Sequence, residues 1–178
     1  LRVAVLPRVA LSGLLGVPIT GVAAVLAAAF GLSYQLWQPF LLAALLAAAS
    51  LPLRRRVGSI PGPASPPLLI AAWGLGATVL AVVAFSGVPD PDRISQTYDN
   101  VFHLSATAAI LDGFSASPLT LRSLIETEGG GLAYYPAAWH QLAAGTAQLS
   151  GASVAVAFNA LWLVTGALLW LPGIAWLT

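Results

Sequence analysis

Long apolar runs separated by two polar stretches dominate the chain. No charged residue occurs between Val9 and Leu53. About 20 apolar helical residues cross the hydrocarbon core of a bilayer, so this run is too long for one crossing. It breaks at Gly31-Leu32-Ser33-Tyr34-Gln35, which predicts a first span over 9–32 and a second over 36–53. The link is short, so the two helices are expected antiparallel, with Pro18 kinking the first. Ala43/Ala47 and Ala44/Ala48 are small residues four apart and offer a close-approach face to a neighbouring helix. Arg54-Arg55-Arg56 and a Pro/Gly/Ser stretch, Gly58–Pro67, follow. A third apolar run predicts a span over 68–88. After a polar region over 89–151, a fourth span is predicted over 152–174, with Trp162 and Trp170 as packing or lipid-facing residues.

Composition supports the same picture. Charged residues make up 7% of the chain and hydrophobic residues 58%. A soluble domain has roughly a quarter of its residues charged, so the solvent of this surface is lipid. The expected fold class is all-α: a polytopic membrane protein of about four transmembrane helices, with short juxtamembrane helices in one extracytoplasmic loop. The chain starts at Leu1 and ends directly after an apolar segment, so it reads as the N-terminal part of a longer polypeptide, whose remainder is its partner. Cys is absent, which excludes disulfides and thiolate metal sites. A net charge of +1 points to no nucleic-acid partner.

Basic residues concentrate in cytoplasmic loops. The Arg triplet places the loop between spans two and three in the cytoplasm, and Arg2 and Arg8 place the N-terminus there too. Two crossings separate these sites, so the assignments agree. Loop 89–151 is then extracytoplasmic in a cell membrane, with Tyr34 and Trp37 at the outer interface.

All six acids of the chain, Asp90, Asp92, Asp99, Asp112, Glu126 and Glu128, lie in that loop with both histidines. Charges avoid bilayers, which accounts for the empty spans but not for the absence of acids from the short links. Asp99–Leu111 has helical period, with Asp112-Gly113 as its stop. Ser117-Pro118 opens a second amphipathic stretch containing Leu119, Leu121, Leu124 and Ile125. Gly129-Gly130-Gly131 is a break, and Pro136 opens a third helix to Leu149. Such helices lie along a membrane surface and would roof a cavity at the outer leaflet.

Asp99 and His103 are four apart and share a helix face. One reading is a general base or metal ligand with a histidine partner. The other is a carboxylate favoured by the helix N-terminus beside a half-buried histidine. A metal would need Asp90, Asp92 or His140 as well, and no tight ligand spacing is present. No residue is assigned to a metal, and a divalent metal stays an open cofactor. Tyr134, Tyr135 and Trp139 offer aromatic faces for a sugar or an isoprenoid, with His140 able to pair with a phosphate. The alternative is an interfacial aromatic anchor. Arg93 and Arg122 are phosphate-binding candidates or ordinary surface charges. Glu126 and Glu128 flank the glycine run as solvated charges.

The order of span, acid-bearing loop with surface helices, then span resembles the GT-C superfamily of membrane glycosyltransferases. The segments Tyr98-Asp99-Asn100-Val101-Phe102-His103-Leu104 and Tyr135-Pro136-Ala137-Ala138-Trp139-His140 also resemble an actinobacterial family of large multi-pass membrane proteins. The superfamily resemblance implies a polyprenyl-phosphate sugar donor and a cell-envelope acceptor. It implies an essential acid near the end of the leading span. Asp99 is the best match, with His103 its partner, and Asp90 and Asp92 are the alternative acids. Many members begin with the loop-bearing pair of spans, whereas two spans precede it here. Competing classes are a non-catalytic subunit of an envelope-assembly or export machine, and a transporter. Against the transporter, the spans lack internal charges.

Overall fold

The computed structural model describes residues 5–57, 66–125 and 133–177. Helices account for all of its regular structure, and no strand occurs among the described residues. In chain order they are α1 (Val5–Ala29), α2 (Trp37–Val57), α3 (Pro67–Gly87), α4 (Tyr98–Leu111), a 3₁₀ turn (Leu121–Leu124), α5 (Ala138–Ser150), α6 (Val154–Thr165), a π turn (Gly166–Trp170) and α7 (Leu171–Leu177). Three stretches, Leu6–Ala29, Pro67–Gly87 and Val154–Ala175, are long and apolar enough to cross a membrane, and Trp37–Leu53 is a shorter apolar helix. This is an all-helical fold compatible with a polytopic membrane protein. Helix α1 continues through Pro18, and α2 continues through Pro52 and the Arg triplet to Val57.

The chain divides into two compact units. The first comprises residues 1–16, 44–90 and 162–178. Its packing is decided by glycines that let leucines approach. A Cβ on Gly166 would lie 2.8 Å from Leu80 Cδ2, and one on Gly76 would lie 3.3 Å from Leu171 Cδ1. Gly13 in α1 takes Leu169 even more tightly. Small residues at such crossings are how helices associate where water supplies no driving force. The π turn has a local cause. Pro172 has no N–H, so it leaves a carbonyl of the preceding turn without a donor. The Leu171 N–H bonds to the Gly166 carbonyl five residues back. In that register the Ala167 carbonyl would look to Pro172. It is met instead by Trp73 Nε1–H from α3, at 2.7 Å.

The second unit comprises residues 17–43 and 91–161. Its core joins Ala24, Tyr34, Ala106, Ile110, Ala116, Leu121, Ala137 and Ala144, all buried. Alanine and glycine on α5 hold α4 close and leave room for the α1–α2 link: a Cβ on Gly145 would lie 2.9 Å from Leu36 Cδ1. Gln148 of α5 brackets the link. Its Oε1 accepts from Leu36 N–H at 2.9 Å, and its Nε2–H donates to the Tyr34 carbonyl at 3.3 Å. Tyr34, expected at an outer interface, is therefore a core residue with 2% exposure. Burial pushes its phenol up to about 12. Trp37 is exposed. The second surface helix expected from Ser117 onward is only the 3₁₀ turn Leu121–Leu124. Ser117 and Thr120 spend their side chains on local backbone and hydroxyl groups, which favours turns over helix. Glu126, Glu128 and the glycine run lie outside the described residues.

Candidate functional site

Helix α4 begins one residue before Asp99, so Asp99 lies in its first turn. One turn on, His103 Nε2 lies 3.1 Å from Asp99 Oδ2. The other ring nitrogen, Nδ1, lies 2.9 Å from His140 Nε2 on α5. The side chains thus form a chain from outside to inside. Asp99 has 82% of its side chain exposed and His103 28%, while His140 is 1% exposed. Phe102 and Tyr135 close the rings in. Phe102 meets Tyr135 edge-on with centroids 5.2 Å apart, and its ring lies 5.8 Å from that of His140. Tyr135 is itself held by its N–H to the Pro118 carbonyl at 2.7 Å.

Electrostatics differ along this chain. His140 is pushed down to about 4, by burial first and then by neighbouring His103; the Ala137 carbonyl works in the other direction. It therefore stays neutral at physiological pH. Tyr135 is pushed up by burial and by the Asp99 charge. Three buried polar atoms of this region, Thr107 Oγ1, His140 Nδ1 and Gln141 Oε1, make no hydrogen bond. The other end of Gln141 donates to the Ala116 carbonyl at 2.8 Å.

The expected site residues separate into groups. Asp99, His103 and His140 come together. His140 was expected to meet a phosphate; it is buried, and its Nε2 is committed to His103. Tyr134 is exposed and Tyr135 half-buried beside His140. Trp139 turns to the other side of α5 and packs edge-on against Phe158 of α6, with centroids 6.0 Å apart. Arg93 and Arg122 are exposed. The alternative acids sit in a turn fastened to α6. Ser153 Oγ–H donates to Asp92 Oδ1 at 2.5 Å, and the same oxygen accepts the Val156 N–H at the start of α6. Asn159 Nδ2 donates to the carbonyls of Pro91 at 2.8 Å and Arg93 at 2.7 Å. Asp92 thus has a structural job that Asp99 lacks. Among the described residues no group of three or more His, Asp or Glu is arranged to hold a metal ion. The two facing ring nitrogens are bonded to each other, so this donor set does not fit a divalent metal.

Ser153 and Asn159 escape a sequence reading. The signal for Asn159 was available: a lone amide inside an apolar span needs polar partners.

A family profile matches residues 1–178, and the chain belongs to that family, a family of unknown function (DUF6541). No curated protein and no solved structure matches it.

Proposed function

We propose that this member of the DUF6541 family is a membrane glycosyltransferase of the GT-C kind. It moves a sugar from a polyprenyl-phosphate donor to a cell-envelope acceptor on the extracytoplasmic side, with its N-terminus in the cytoplasm. The observation that carries the reading is the Asp99 carboxylate, exposed and hydrogen-bonded to His103 at 3.1 Å. A general base has to reach its proton and be held in one orientation, and this carboxylate meets both needs.

In the reaction, the acceptor hydroxyl gives its proton to the Asp99 carboxylate as its oxygen attacks the anomeric carbon. The bond from that carbon to the lipid phosphate breaks, and the phosphate leaves with the electron pair. The anomeric configuration inverts. Arg93 and Arg122 supply positive charge for the leaving phosphate. Exposed Asp99 then returns its proton to water. Tyr134 and Tyr135 offer aromatic surface to the sugar or the lipid.

The test is transfer by the full-length protein in lipid, with a polyprenyl-phosphate sugar as donor. Asp99→Asn keeps the side-chain shape and loses the base. Transfer at the wild-type rate by that variant overturns the assignment.

A further inference from the structure

A helix that lies over water turns its polar groups outward and its apolar face inward. Helix α5 does the reverse. His140 and Gln141 face the protein interior, at 1% and 0% exposure. There His140 meets His103 of α4, and Gln141 Nε2–H donates to the Ala116 carbonyl. Gln148 spends both ends of its amide on the α1–α2 link. What α5 leaves uncovered is apolar or already bonded within the helix. Leu149 is 75% exposed, and Trp139 and Leu142 are half-buried. Thr146 and Ser150 keep some exposure, but each hydroxyl donates to the carbonyl four residues back, at 2.8 Å. A hydroxyl bonded in that way needs no water partner.

The surroundings of this face share its character. Phe30, Leu32 and Trp37, on either side of the link that Gln148 holds, are all more than half exposed. The apolar surface next to Gln148 therefore runs on into the exposed ends of α1 and α2. No charged residue follows Glu128, so α5 and the apolar stretch that starts at Val154 form one uncharged run. Trp139 packs against Phe158, one turn inside that stretch. With 13 residues, α5 is about 20 Å long, short of the roughly 30 Å of a hydrocarbon core. Such a helix does not cross a bilayer, but its apolar face can lie within one leaflet.

We propose that α5 is immersed in a membrane leaflet, with Leu142 and Leu149 against lipid acyl chains and the opposite face holding His140 against α4. Lipid is the occupant because the face is continuous with the apolar ends of α1 and α2, which are lipid surface already. His140 then reaches His103 from the lipid side of the α4–α5 unit. The immersion of α5 does not depend on sugar transfer, and its test involves no turnover.

The experiment is spin labelling of the full-length protein in lipid nanodiscs. Residues 1–178 hold no cysteine. With any cysteine outside them replaced by serine, a single cysteine at Leu149 or Leu142 reports α5, one at Val79 reports α3, and one at exposed Asp112 reports water. Oxygen concentrates in lipid, and a nickel chelate stays in water. At both α5 labels, collision with oxygen is expected to rise and collision with the chelate to fall, to the levels at Val79. The Asp112 label is expected to show the opposite. Chelate access at the α5 labels equal to that at Asp112 would leave α5 over water and overturn the proposal. Shielding from both reagents would mean that protein covers the face, a second copy or another segment, and would overturn lipid as its occupant. Leu142 is half-buried, so a label there that lowers the melting temperature is set aside, and Leu149 alone then decides between these outcomes.

Discussion

Helices α3 and α5 invert the usual relation between hydrophobicity and burial. Helix α3 is almost entirely apolar and buries none of its residues within the chain. Helix α5 carries a histidine, two glutamines and a threonine, and six of its residues are buried, His140 and Gln141 among them. In water the first would be an aggregating surface and the second a poor core. The contrast is resolved if α3 meets lipid. Its exposed Leu75, Val79, Val82 and Val83 then need no protein cover, and its packing reduces to glycine contacts and one indole bond. Around α5, by contrast, polar side chains are buried and most are paired, so the unit of α4 and α5 carries specific geometry rather than bulk apolar area.

This contrast can be broken at its sharpest points. The largest effect is expected at the carboxylate. Asp99→Asn should lower sugar transfer by about 10²–10⁴-fold. Because the side chain is 82% exposed, melting of the purified protein should stay where it was. A fall in both together would make Asp99 a structural cap. Next is the lipid face. Val79→Arg should disfavour insertion of α3 by about 3 kcal/mol, read by a glycosylation-tag insertion assay, and unchanged insertion would remove lipid from the account of α3.

Acid should act on the α4–α5 unit through His140. Its folded-state value is depressed, to about 4 from 6.5, so the unfolded chain takes up that proton first as pH falls. The contribution of neutral His140 is fully present above about pH 6.5 and is lost as pH falls towards 4, by at most about 3 kcal/mol. Tm should therefore drop across that window, and His140→Gln should flatten the slope. A Tm independent of pH there would contradict the burial of His140.

A smaller effect is expected from Gln148→Leu, which removes both bonds to the α1–α2 link. A loss of about 2 kcal/mol in a denaturant titration is expected, with Asp99-dependent chemistry preserved. Smallest is Thr107→Val. The Thr107 hydroxyl is buried without a hydrogen bond, so its replacement by a methyl should leave stability within about 0.5 kcal/mol or raise it slightly. A clear loss would show that the hydroxyl has a partner such as a buried water.

Periodicity and spacing made much of this legible. The apolar runs announce helices because a 20-residue stretch without charge has few other uses. The four-residue spacing of Asp99 and His103 puts them on one face of any helix that contains both. Fine packing was not legible. Tyr34 reads as an interfacial aromatic because its neighbours are a glycine, a serine and two glutamines. Gln148, more than a hundred residues away, draws the link against α5 and buries it. The π turn was hidden as well, since nothing in the local sequence announces that Trp73 of α3 bonds the Ala167 carbonyl.

By itself, then, the sequence determined the long apolar helices, the helical character of α4 and α5 and the Asp99–His103 face, because each follows from local period and from the cost of charge in lipid. Only the tertiary structure decided that His140 faces inward to His103 and Trp139 faces Phe158, that Asp92 is held by Ser153, and that Asn159 ties down the turn before α4. Those outcomes depend on which helix lies against which: alanines line the buried face of α5, and Gly145 leaves room there for Leu36 and Tyr34 of the α1–α2 link.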